Sequence, residues 1–241
     1  MPSSRRSVRP YAVRLLAVVL AAVALAGSAI YMRYRGEIAR HEERIARGSK
    51  IVDTPCGRIE YGEQGEGEPI LALHGAGGGY DQGLLMADMA GSGYRIVAPS
   101  RFGFLNTPLP ADASVAAQAD AYVCLLDYLQ IERANVIAIS AGGPSALQFA
   151  LRHPQRVKTL ILVSALSTLR PVRDAAAGPS AAMLTDWGYW AVISFAPILA
   201  LDALGLPAAA QADLSPVEQE RTMNVLQMML PMARRAAGNN T

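Results

Sequence analysis

The stretch NVIAISAGGPSALQFALRHP, residues 135–154, decides the fold. Val136, Ile137, Ala138 and Ile139 form a short unbroken apolar run, as expected of a parallel strand covered on both faces. Ser140 follows at once. Gly142 and Gly143 come next, then Pro144 at a first helical turn and a helix through Leu147, Ala150 and Leu151 that Pro154 stops. A strand that delivers a serine onto a tight turn and continues as a helix lifts the hydroxyl above the sheet. The positions two before and two after that serine must be small, because strand and helix backbones pass close by. Here they are Ala138 and Gly142, so the usual G-x-S-x-G becomes A-I-S-A-G. Taken alone, such a serine in an Ala- and Gly-rich chain is more often structural punctuation than a nucleophile.

A second motif shifts that balance. PILALHGAGGGYDQG, residues 69–83, is another apolar strand, and it ends in His74, Gly75, Ala76 and three glycines. A glycine-rich turn lets the backbone approach a substrate, and its N–H groups can face a developing oxyanion. The rival is a phosphate loop, but no G-K-[ST] follows, and the acidic residue of a dinucleotide site is missing.

Residues 51–165 resemble the first half of an α/β-hydrolase domain. Besides LHGAGGG and ISAGG, the stretch YRIVAPSRFGFLNTPLP resembles the family's fourth strand with its S-R-x-G-[FY] loop. RHPQRVKTLILVSA is similar to the passage from a helix into strand six. The resemblance implies a serine hydrolase with Ser140 as nucleophile and the N–H groups of Ala76 and Ala141 as oxyanion donors. His74, Gly75 and Gly142 support the two turns, and neither a metal nor a cofactor is called for. A serine at this place argues against the aspartate-using branches of the family.

The remainder of the chain frames that core. Of 241 residues 51% are hydrophobic, enough for one sizeable core, and a net charge of +2 with no basic stripe gives no reason to propose nucleic acid as a partner. Two cysteines make no disulfide framework: Cys124 falls on an apolar stripe and Cys56 in a turn, without spacing for a metal. Residues 1–14 are a basic tail with Arg5, Arg6, Arg9 and Arg14. Residues 15–32 carry no charge, and at about 1.5 Å each they just span a bilayer's hydrocarbon core. They read as an uncleaved anchor; a signal peptide cut near Ala26 is the alternative. Four arginines ahead of the span place the N-terminus in the cytoplasm and the hydrolase domain outside. Residues 33–50 read as a charged juxtamembrane helix with a solvated face.

From residue 51 to 166, short strands at 51–53, 58–61, 70–73, 94–98 and 159–163 alternate with helical stretches at 82–90 and 114–129, which predicts an α/β fold with a mostly parallel twisted sheet. Residues 167–241 switch to apolar and amphipathic helical segments, the place of the helical cap in the family. A second membrane span here is short, interrupted by Pro197 and Asp202. Helices lying on a membrane surface are a third reading.

The triad's other members are the difficulty. The family's chain order is serine, acid, histidine. His41 precedes the core, His74 precedes the serine, and His153 ends the helix that starts at Ser140, thirteen residues or roughly 20 Å away. Asp174 and Asp186 are the nearest acids after strand six. The expectation is therefore a hydrolase fold incomplete at its C-terminus, truncated before its acid and histidine. Intact, it would act on a small apolar ester at a membrane. The alternative is a finished non-catalytic binding protein. Neither substrate identity nor oligomeric state is legible.

Overall fold

A computed structural model describes residues 9–86, 91–167, 185–203 and 205–231. Helix α1 runs unbroken over Arg9–Arg47. The chain divides into two units, residues 1–40 and residues 41–241. The first is a helix whose described side chains are almost all exposed, with Leu15, Leu16, Leu20, Val23 and Leu25 each at least 59% exposed. It is long and apolar enough to cross a membrane, and a signal sequence would look the same.

The second unit holds a six-stranded sheet: β1 (Lys50–Thr54), β2 (Gly57–Gln64), β3 (Glu68–Leu73), β4 (Tyr94–Pro99), β5 (Ala134–Ile139) and β6 (Val157–Val163). The order across the sheet is β1-β2-β4-β3-β5-β6. β1 and β2 are an antiparallel hairpin, β2 runs antiparallel to β4, and β4, β3, β5 and β6 are parallel. The mostly parallel sheet expected from the sequence is present. Its central strands put alternate residues on opposite faces, as the two-residue period requires. Leu71, Leu73, Val97, Val136 and Ala138 pack on one side with Tyr122, Leu125 and Phe149; Ile70, Ala72, Ile96, Ala98 and Ile137 pack on the other with Met86.

Helix α2 (Tyr80–Leu84) follows β3, α3 (Val115–Tyr128) precedes β5, and α4 (Gly143–Arg152) precedes β6. Ser114 caps α3 by accepting from the Ala117 N–H at 3.1 Å. Residues 87–90 of the expected helix at 82–90 lie outside the described residues. Beyond β6 come α5 (Asp186–Phe195), α6 (Pro197–Ala203), α7 (Ala208–Ala212) and α8 (Pro216–Met228), the helices expected of the cap. Asp174 lies outside the described residues.

Three expectations need correction. The two cysteines are joined: Cys56, in the β1–β2 turn, and Cys124, on α3, form a disulfide with Cα atoms 6.1 Å apart. The stripe that made Cys124 a core residue also aims it at the hairpin. Next, the compact unit that holds the sheet begins near residue 41 rather than 51, because the end of α1 packs into it. Ile45 is fully buried with Tyr80 and Leu105, and the Tyr80 hydroxyl donates to the Ile45 carbonyl at 2.7 Å. Finally, the juxtamembrane charges are not all a solvated face: Arg44 pairs with the buried Asp81 at 2.9 Å and donates to the Met228 carbonyl.

Candidate active site

Ser140 sits at the junction of β5 and α4 with φ of 49°, in the left-handed region that an L-residue rarely adopts, and its side chain is exposed. Such strain persists only where the surroundings hold it. They do. The Ser140 carbonyl accepts the Leu166 N–H at 2.9 Å, fixing one side of the turn. Gly142 is fully packed: a β-carbon there would lie 2.7 Å from the Leu73 carbonyl oxygen and 2.8 Å from that of His74. The glycine is thus what allows the turn to press against the end of β3. Behind it, Ser145 Oγ donates to the Gly142 carbonyl at 3.0 Å and contacts the Tyr122 hydroxyl at 3.0 Å. Burial pushes the Tyr122 phenol up to about 12, so it stays neutral.

The glycine-rich loop lies alongside. A β-carbon on Gly75 would approach Ser140 Cβ to 3.2 Å, so the loop and the elbow are in near contact. The Gly75 N–H donates to Gln82 Oε1 at 2.7 Å. Ala76 is exposed and Ala141 half-buried, each one residue beyond the contact between the two turns. The structure therefore brings Ser140, Gly75, Ala76, Ala141 and Gly142 together at the C-terminal ends of β3 and β5. Gly77 faces the cap, where a side chain would collide with Met229. A groove of about 420 Å³ within the cap is lined by Ile198, Leu201, Leu214 and Met223; Ser140 is not among its walls.

Two of the histidines are engaged by other partners. His74 is fully buried against Phe104, with Nδ1 2.8 Å from the Gly75 carbonyl oxygen and Nε2 accepting the Arg101 N–H at 2.9 Å. Both ring nitrogens are committed, which suits a supporting role. His153 caps the far end of α4 and lies 2.7 Å from Asp120, whose carboxyl is held below the usual range by Arg152 first and His153 second. His41 is in α1. Among the described residues, no hydrogen bond joins Ser140 to a histidine or a carboxylate.

Two neighbours escaped the sequence reading. Gln82, in the first turn of α2, could have been suspected from its place directly after the glycines. Arg101 belongs to the quoted S-R-F-G loop, but nothing in its spacing marks it as nearly buried beside Gly75.

Comparison with known proteins identifies the family. The family pattern described as alpha/beta hydrolase fold matches residues 68–206. An uncharacterized hydrolase of Bacillus subtilis (strain 168) is 44% identical over 123 residues, covering 51% of this chain and 43% of that protein. A 2-hydroxymuconate semialdehyde hydrolase of Pseudomonas sp. (strain CF600) is 35% identical over 138 residues, covering 55% and 46%. The chain thus spans a little under half the length of these curated relatives. Among solved structures, an alpha/beta hydrolase fold protein from Nakamurella multipartita superposes with a TM-score of 0.60 at 28% identity, covering 78% of this chain and 68% of the other. With an elbow serine, a glycine-rich loop against it and a family match across more than half its length, the chain belongs to the alpha/beta hydrolase fold family.

Proposed function

We propose that this chain carries the nucleophile and oxyanion half of a membrane-held serine hydrolase acting on a small apolar carboxylic ester. The observation that carries the reading is the exposed Ser140 held at φ of 49° with the glycine-rich loop packed against it. In the proposed step Ser140 Oγ attacks the ester carbonyl carbon. The carbonyl pair moves onto oxygen, and the resulting anion faces the N–H groups of Ala76 and Ala141. The hydroxyl proton needs a general base, and among the described residues no histidine is hydrogen-bonded to Ser140; turnover by this chain is therefore expected to be slow.

The placement outside the cytoplasm draws support from the Cys56–Cys124 bond, since disulfides persist in oxidising compartments. The anchoring reading rests on the apolar helix. A non-catalytic binding protein on the same core is the second reading, favoured by the commitment of His74 and His153 to other partners.

An activated ester separates the two. With p-nitrophenyl acetate at alkaline pH, Ser140 should be acetylated, and the acyl group should persist because its hydrolysis also needs the base. Peptide mass analysis should find the acetyl on Ser140 and none at that position in Ser140→Ala. An unmodified Ser140 after prolonged exposure would favour the binding protein.

A further inference from the structure

The Gly75 carbonyl oxygen is contacted three times: the Gly78 N–H donates to it within the loop at 3.4 Å, and two side chains reach it from outside the glycine run. His74 Nδ1 lies at 2.8 Å, and Arg101 Nη2 donates to it at 3.1 Å. Because the Arg101 main-chain N–H donates to His74 Nε2 at 2.9 Å, Nε2 is the acceptor of the ring. The ring proton therefore sits on Nδ1, and the contact with Gly75 is a donated hydrogen bond. Two side-chain donors, with the longer bond from the Gly78 N–H, thus fix the oxygen of the Gly75–Ala76 peptide. In a trans peptide the N–H points opposite to the C=O. Drawing the oxygen inward to His74 and Arg101 turns the Ala76 N–H outward, at an exposed residue beside Ser140.

We infer that Arg101 is the positioning residue of the oxyanion site: through the Gly75 carbonyl it orients and polarises the peptide whose Ala76 N–H receives the developing negative charge. The inference rests on the serine hydrolase reading of Ser140.

The chemistry of Arg101 favours this over simple scaffolding. Its guanidinium is largely buried, stacked 4.9 Å from the Phe104 ring centre, and among the described residues its Nε has no hydrogen-bond partner. Burial pushes its pKa down against a smaller opposing effect of Tyr122, and among the described residues no carboxylate pairs with it. Holding one carbonyl in place needs no charge; a neutral amide would do so without the cost of desolvating a cation. A cation bonded to the peptide oxygen polarises the peptide more strongly than a neutral donor does. It draws electron density from the peptide and strengthens the N–H as a donor. In a site of low dielectric, that matters most when an anion forms.

The test uses the full chain in detergent and a small alkyl fluorophosphonate, with labelling of Ser140 followed by mass. Ser140 Oγ attacks phosphorus, fluoride leaves with its bonding pair, and buffer base at alkaline pH takes the hydroxyl proton. Arg101→Met keeps the backbone donor to His74 and removes only the guanidinium. It should slow labelling about tenfold or more, by analogy with loss of an oxyanion donor, while Arg101→Lys, which keeps the charge, should recover most of the rate. Labelling of Arg101→Met at the unmutated rate would overturn the inference. A wild-type Ser140 that never labels would sink the hydrolase reading itself, and the inference with it. Should Arg101→Met lose its cooperative melt, the unmutated chain decides. Nitrogen-15 spectra of labelled histidine must show His74 protonated at Nδ1, and the opposite tautomer overturns the clamp.

Discussion

At the scale of single residues, the strongest constraint is Gly142. Its missing β-carbon is what lets the elbow lie against the Leu73 and His74 carbonyls. Gly142→Ala should cost about 1–3 kcal/mol, the range for forcing a group into packed backbone, and chemical denaturation measures it. The sequence carried this much plainly, because strand, serine and helix are contiguous and local sterics govern them. Arg101 was illegible for the opposite reason: its partners, His74 and Gly75, come from another strand end. A second residue-scale prediction concerns Glu63. Burial works against its charge, but Lys50 and Arg95 overcome that and hold its carboxyl below the ordinary 4.5. The folded value being depressed, its stabilisation is complete above pH 4.5 and fades as pH falls through the lower folded value. Glu63→Gln should cost about 1 kcal/mol or less at neutral pH, and the loss should disappear in melts at strongly acidic pH.

At the scale of elements, the end of α1 and strand β6 stand out. Arg44 reaches from the last turns of α1 to the buried Asp81 of α2, immediately after the glycine-rich loop. Arg44→Met removes this buried ion pair and should cost about 1–3 kcal/mol, measured by denaturation in detergent. Adding Asp81→Asn should return part of the loss. Local pattern showed only a charged helix here; which charge meets which strand end is a matter of tertiary placement. β6 is an edge strand among the described residues, with Ile161 at 48% and Leu162 at 43% exposed on opposite faces. An apolar edge of a parallel sheet is a template for association. Leu162→Lys should shift sedimentation toward the monomer without lowering the melting temperature.

At the scale of the whole molecule, the alternation of strands and helices was enough to predict an α/β sheet, whereas the β1–β2 hairpin's pairing with α3 through Cys56 and Cys124 was not. Two cysteines 68 residues apart give no sign in sequence of their 6.1 Å approach. Closing a loop of that size restricts the unfolded chain, and reduction should lower stability by up to about 4 kcal/mol in the chain-entropy account. Melts with and without reductant, alongside thiol counting on the unreduced protein, check both the bond and its effect.

The disulfide also closes a covalent ring. Inside the ring lie β2, β3, β4 and the glycine-rich loop; outside it, on opposite sides, lie the apolar helix and Ser140. The linker before α3, where Pro108, Leu109 and residues 111–114 are exposed, is part of the ring and the natural place for a protease to cut. One such cut opens the ring without dividing the molecule. The serine-bearing part would stay leashed to the helix until a reductant arrived, so parting the two would require two chemically different events.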